Sequence, residues 1–538
     1  MNPVFHLSSA LVDDWAALRP VDATFAGVPG HDHRWGEWDP EGNQEAERRF
    51  RSWIARFEAV AVEGEGERLA RDVALDWLRD EVARLGAGDA EVDLNSLASP
   101  VQLFAMVFGS METGTEAGWE AVAARLEALP AALEGYRRTL AAGLGRADGV
   151  AARQVRAGIA HARRSASGGY LPDNARCPSA SLVARIDAAR PGAAAAWAGL
   201  ADWLEGTLLP QARETDGVGR DRYLREMRRF LGAEFDPEET YAWGWEELAR
   251  IEAEMAREAE ALGARSVAEA FAMADAVQAA PDDDTFLDAM RARQARALAL
   301  VDTLFDIPAP VRRLDVKMAP PTGHIGAYYV PPSEDFSRPG AVWYLRDGVG
   351  PHPTWREVST AYHEGFPGHH LQLGVQVSLP GRSRFQRVVA SCSGFAEGWA
   401  LYVEQLMDEV GGYEHPAFRL GMLANQHIRA CRVVLDIGAH LDLPIPAHAP
   451  FAPGERWTYE RGVTMLTERG GMTPGEAASE MTRYLGFPAQ AISYKVGQRA
   501  MLALRQDWIA RGGALRDFHA RVLGLGNVGL ARLAQEVR

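Results

Sequence analysis

His363-Glu-Gly-Phe-Pro-Gly-His-His370 decides how this chain is read. Upstream, Thr354-Trp-Arg-Glu357 fits a capping box, in which the threonine oxygen meets a free backbone N–H and the glutamate reaches back. A helix is therefore expected to start there and run toward His363. Pro367 has no N–H, and its ring clashes with the carbonyl four residues back, that of His363, so the helix must bulge or break. Gly365 and Gly368 ease the break, because glycine takes backbone angles closed to other residues.

Outward from this break the chain reads as nearly all helical. On the N-terminal side, residues 308 to 353 are dense in Pro and Gly yet hold the β-favouring runs Ala327 to Val330 and Ala341 to Leu345. Two or three short strands are expected there, and the second run is a candidate edge for an extended peptide. The 310 or so residues before them carry apolar side chains three and four apart, as in Trp53, Ile54, Phe57 and Val60. Asp236, Pro237, Glu238 and Glu239 read as an N-cap, a first-turn proline and an acidic first turn, opening a helix through Trp243, Trp245, Leu248 and Ile251. After Thr354 the helical pattern runs to the C-terminus, with breaks near 411 to 415, 443 to 454 and 511 to 513, and one helix from about Arg384 to Met407. The expected fold is mainly α: two helical lobes around a cleft, residues 1–234 and 235–538, with one small sheet beside the helix carrying His363.

The 538 residues include 57 Lys and Arg against 73 Asp and Glu, a net charge of −16, which disfavours nucleic acid as a partner. Cys177, Cys392 and Cys431 have no Cys-x-x-Cys spacing and cannot build a disulfide framework, so a reducing, cytoplasmic setting is expected. The start, MNPVFHLSSALVDDW, lacks a basic region followed by an apolar one, and no run of about 18 apolar residues occurs. Neither export by that route nor a membrane span is expected.

The chemistry concentrates around the break. His363-Glu364 starts like the zinc-peptidase helix motif His-Glu-x-x-His, but Pro367 stands where the second histidine belongs. In a regular helix, residues six apart differ by about 240° and about 9 Å of rise, so His363 and His369 could not share an ion held about 2 Å from each nitrogen. A two-residue loop-out at the glycines and Pro367 could return His369 to the missing position; His370 would need three residues looped out and stays as the alternative. Glu397, 28 residues beyond His369 in Phe395-Ala-Glu-Gly-Trp-Ala-Leu-Tyr402, is the candidate third ligand, with Gly398 allowing close helix approach. Glu404, seven residues on, is either a partner behind a ligand or a surface carboxylate. Three His and one Glu in eight residues also suit a surface cluster or a satisfied core network, and His324, His352, His427 and His440 read as structural.

These residues, with Gly326-Ala-Tyr-Tyr329, EGWALYVE (397 to 404), RACRVVLDIGAH (429 to 440) and RYLGFPAQAISYKVGQ (483 to 498), resemble the bacterial domain of unknown function 885 over residues 235 to 510. Ile437, where threonine is expected, and LDLPIPAH after His440 depart from it near a helix end. The resemblance extends to helical gluzincin peptidases and implies one zinc ion held by two His and a Glu: His363, His369 and Glu397. It also favours Tyr494, which shares a helix face with Gln490, as an oxyanion donor. Tyr329, Arg483, Gln490 and Lys495 are the candidate substrate-binding residues, with Arg505 weighed beside Arg483 and Lys495 for a substrate carboxylate. The expected activity is hydrolysis of short peptides with Glu364 as general base. Its rivals are a zinc amidohydrolase on a non-peptide amide and a helical binding protein with a degenerate site.

Overall fold

Asp39 and Thr115 each start a helix by accepting a first-turn backbone N–H on the side-chain oxygen, from Gly42 and Gly118. These helices are α1 (Pro40–Ala59) and α2 (Glu116–Ala142); Trp53 and Phe57 form part of the buried face of α1. With α3 (Ala180–Trp203), α2 encloses a core that includes Trp119, Leu126, Leu133, Trp197 and Leu200. The computed structural model describes residues 2–277, 279–319, 327–333, 336–345, 351–379 and 381–538. Its residues group into two compact units: Met1–Arg225 with Ser383–Val389 and Leu485–Phe487, and Glu226–Arg382 with Ala390–Tyr484 and Pro488–Arg538. The first unit takes in Ser383–Val389 because Phe385 packs edge-on against Trp77 and its N–H donates to Ser8 Oγ.

In the second unit Asp236 caps α4 (Pro237–Ala261) as its sequence predicts, accepting from the Glu239 N–H at 2.8 Å. Trp245, Leu248 and Ile251 are buried. The sheet has three strands, β1 (Leu314–Met318), β2 (Ala327–Val330) and β3 (Gly340–Tyr344). Their order is β1-β3-β2, with β3 parallel to β1 and antiparallel to β2. A separate two-residue pairing joins Ala279–Ala280 to His352–Pro353. Since β3 is paired on both sides, the run from Ala341 offers no edge to a peptide, which corrects that expectation. Its inner face, Val342 and Tyr344, packs with Phe286 and Met290 of α5 (Asp283–Val301) and with Ala361. His324 and Gly326 lie outside the described residues.

The helices that follow are α6 (Glu357–Glu364), α7 (His369–Ser378), α8 (Ser393–Glu409), α9 (Pro416–Leu441), α10 (Pro474–Gly486) and α11 (Ser493–Ala510). Two local expectations fail. The first turn of α6 has Arg356 as its N-cap, without a side-chain cap, in place of a Thr354 capping box. The helix expected from Arg384 to Met407 is instead two, Arg384–Val388 and α8. Between them Cys392 turns inward, its N–H donating to Asn527 Oδ1 at 2.8 Å and its thiol to the Phe230 carbonyl. The end of α9, where the sequence departs from the resembled pattern, closes on Asp442 in the left-handed conformation. No helix among the described residues is long and apolar enough to cross a membrane.

Candidate metal centre

The segment Gly365–Gly368 leaves the helix, and α7 restarts at His369, so the chain makes the interruption that Pro367 demands. Side chains bond the backbone on both sides of this break, and the Ala361 carbonyl also keeps its helical bond from the Gly365 N–H. Gln294 of α5 accepts from the Phe366 N–H at 2.8 Å and donates to the Ala361 carbonyl at 2.6 Å, while the Trp399 indole donates to the Pro367 carbonyl at 3.0 Å. Gly368 is required by proximity, since a Cβ there would overlap the His363 carbonyl oxygen.

The break brings His369 back beside His363, with ring centroids 4.8 Å apart and planes at 85°. Both rings point Nε2 at one atom, Glu397 Oε2, at 3.3 Å from His363 and 3.6 Å from His369. One ligand atom from each residue lies within 4.8 Å of the others. That oxygen is buried and has no hydrogen-bond partner. Two ligands each about 2.0–2.1 Å from a tetrahedral zinc are separated by about 3.4 Å, so the donor set fits this ion. His370 is placed elsewhere: its Nε2–H donates to the Val311 carbonyl at 2.6 Å, and its Nδ1 accepts the Tyr329 hydroxyl at 2.9 Å. It and Tyr329 brace the sheet against α7.

Behind His363 stands Glu404, fully buried on the helix that carries Glu397. Its Oε1 accepts from His363 Nδ1 at 2.7 Å, and its Oε2 from Ser359 Oγ at 2.8 Å and Gln426 Nε2 at 3.1 Å. Burial works against its charge, but Arg429 and the hydrogen bonds from His363 and Ser359 hold the carboxyl below its ordinary range. Burial likewise raises Glu397, and the two histidines outweigh it, holding Glu397 well below the carboxylate range. His363 meets the converse: burial disfavours its charge, while Glu397 and Glu404 lift its pKa to about 9. Two ionised carboxylates so placed favour the protonated His363 ring. The buried Nδ1 of His369 lacks a hydrogen-bond partner.

Glu364 sits at the end of α6, its carboxyl raised by burial against the pull of His369 and His363. Tyr494, at the start of α11, lies nearly parallel to the His363 ring, centroids 6.3 Å apart, and burial beside Glu397 raises its hydroxyl. α8 and α11 meet at glycines: a Cβ on Gly398 would stand 2.5 Å from the Gly497 backbone. This crossing brings Glu397 near Tyr494.

The remaining candidates separate. Gln490 lies in the turn before α11 and not on a helix face shared with Tyr494, which corrects that expectation; Arg483 donates to Gln490 Oε1 at 3.1 Å and to Glu480 at 3.0 and 2.8 Å. Lys495 does not serve as a substrate contact: it is 1% exposed and its three N–H donors go to Gln426, Gln498 and Glu247. Arg505 pairs with Glu409. His352 stacks on Phe286, His427 bonds Glu252 and His440 bonds the Tyr484 carbonyl, three structural roles. Sequence reasoning missed Gln294, Ser359 and Gln426, which carry no local signal, and gave no role to Arg429, which opens the motif RACRVVLDIGAH; Glu404, weighed as partner or surface, had its place on the Glu397 face as a clue.

The chain matches the profile of a family described as bacterial protein of unknown function (DUF885) over residues 20–537. A solved structure from Colwellia psychrerythraea, described as a candidate lipoprotein, is similar over 100% of this chain and 99% of its own, with TM-score 0.85 and 20% identity. Another from Shewanella oneidensis, a candidate lipoprotein of unknown function, covers 98% of each chain with TM-score 0.74 and 17% identity. At these identities the likeness is one of fold. No curated protein matches the chain at a significant level.

Proposed function

The chain belongs to the DUF885 family of bacterial proteins of unknown function, and on that premise we propose that it is a zinc-dependent peptidase acting on short peptides, with His363, His369 and Glu397 holding one zinc ion. The observation that carries this reading is the meeting of two Nε2 atoms on a buried Glu397 oxygen without a hydrogen bond, at separations matching a tetrahedral edge. Zinc, when bound, lowers the pKa of a water and polarises a carbonyl.

The protein's own groups supply the rest. Glu364, next in chain to His363, takes a proton from the attacking water and returns it to the leaving amine. Glu404 keeps the His363 imidazole in one tautomer and one orientation. Tyr494 donates its O–H to the carbonyl oxygen as charge develops there. The side chains of His369 and Glu397 are only 12% and 18% exposed, which favours a slender, unfolded substrate over a folded protein. The cytoplasm is the proposed compartment, supported by three free cysteines.

Metal analysis of the purified protein, combined with a peptide-library digest read by mass spectrometry, tests the reading. Stoichiometric zinc with cleaved peptides is expected. Protein without tightly bound metal and without cleavage would instead be a helical binding protein.

A further inference from the structure

Arg429 and Arg432 are three residues apart on α9, and both guanidinium groups lie over the Tyr494 ring, 5.8 and 4.8 Å from its centroid. Arg432 is engaged, donating to Tyr484 Oη at 2.9 Å and to Glu480 at 3.0 Å. Arg483 shares that same Glu480 and also holds Gln490. Arg429 differs from both. Its nearest carboxylate oxygen, Glu404 Oε1, is 3.8 Å away, beyond the roughly 2.7–2.9 Å of a charge-assisted bond. That carboxylate is already taken by His363, Ser359 and Gln426. Arg429 Nε is buried without a partner, although the side chain as a whole retains 15% exposure.

A guanidinium carries five donors in a rigid fork whose geometry matches a carboxylate, and a buried donor left unmade is costly. Arg429 therefore has both the unused donors and the access to take an anion from outside. Glu404 Oε1, 3.8 Å from Arg429, accepts from His363 Nδ1 at 2.7 Å, and one extended residue spans about 3.3–3.6 Å, so an anion held at Arg429 belongs within a residue or two of a bond cut at the cluster.

We propose that Arg429 receives a carboxylate of the substrate, so that the site selects peptides bearing one beside the scissile bond. The inference rests on reading the cluster as a peptidase site. The carboxylate has two sources: the free C-terminus, with release of the last residue, or an Asp or Glu side chain.

Calorimetric titration of the full-length protein tests this independently of turnover. The probes are Ala-Ala-Leu, its C-terminal amide, and Ala-Ala-Glu amide, whose one carboxylate is on the side chain. In the wild type at least one carboxylate-bearing probe binds about tenfold or more tighter than Ala-Ala-Leu amide, and the better of the two identifies the source. Arg429→Gln removes this preference with zinc content unchanged, and Arg429→Lys, which keeps the charge but not the fork, restores part of it. Equal binding of acid and amide by the wild type, no binding of any probe, or a preference that survives Arg429→Gln overturns the proposal. So does a variant that loses acid and amide binding equally while its melting temperature falls, which marks Arg429 as a structural neighbour of Glu404. Carboxylate-dependent binding without hydrolysis leaves Arg429's role standing and defeats the peptidase reading alone.

Discussion

His363 Nδ1 donates to Glu404 Oε1 across 2.7 Å, joining two buried side chains from α6 and α8. The bond fixes which imidazole nitrogen carries the proton and leaves Nε2 facing Glu397. Glu397 and Glu404 sit two turns apart on α8, so one helix contributes the acceptor and the orienting group together.

Glu404→Gln is therefore expected to lower zinc affinity by about 10- to 100-fold, measured by competition with a chelator. Unchanged affinity would reduce Glu404 to a buried anchor for Ser359 and Gln426.

His369→Ala is expected to strip the metal, and His370→Ala to keep it while losing about 1–3 kcal/mol of stability through the broken bonds to Val311 and Tyr329. Metal content and chemical denaturation of both variants decide. The reverse pattern would make His370 the ligand.

Glu364→Gln is expected to retain stoichiometric zinc and lose about 10²- to 10⁴-fold in turnover, because an amide cannot accept the proton. Wild-type turnover in this variant would remove Glu364 from the mechanism.

Tyr494→Phe removes only a hydroxyl, so turnover should fall by about 10²- to 10³-fold with zinc content and melting temperature unaltered. Lost stability at full turnover would show that the ring is a packing element between His363 and Arg432.

Stability should carry a separate pH signature from α9. Burial disfavours charge on His427, but Cys431 beside it and Glu252 of α4 lift its pKa to about 10, and Arg469 shares Glu252. A histidine raised in the folded state stabilises fully below its unfolded value of about 6.5 and loses that contribution as pH rises through about 10. Glu252 is held below its ordinary value despite burial, so its own contribution fades only in acid. The melting-temperature gap between wild type and His427→Gln should thus shrink between about pH 7 and pH 10. A gap that stays constant over that range would show that His427 is buried neutral.

What the sequence made legible was local. Pro367 forbids a continuous helix by its own covalent structure, and Asp236-Pro237 announces α4 within four residues. The β propensity of Ala327 to Val330 likewise needs no partner to be seen. The misses depended on distant residues. Whether the run from Ala341 is an edge is settled by β1, which pairs directly with β3 in parallel although β2 comes between them in the sequence, and a strand's own side chains do not encode such a pairing. The helix break before Ser393 comes from Asn527 and Phe230, more than a hundred residues away on either side. The start of α6 is moved by Trp355, fully buried with its indole bonded to Asp275. Arg429 lies in a motif legible only as resemblance, and its unused donors are visible only once Glu404 is known to be occupied.

Where α8 and α11 cross, the contact at Gly398 and Gly497 is between main chains, with no intervening side chain whose rotamer could absorb a change. The interval between the carboxylate of Glu397 and the phenol of Tyr494 is consequently a discrete quantity: replacing either glycine forces the helices apart by the thickness of a methyl group, with no smaller step available. Mutational drift can adjust the neighbouring face of α9 residue by residue, but it cannot tune this interval gradually. On the proposed reading, divergence in what such a protein accepts is thereby channelled to the walls of the site, while the proposed reacting centre either persists or is lost in a single substitution.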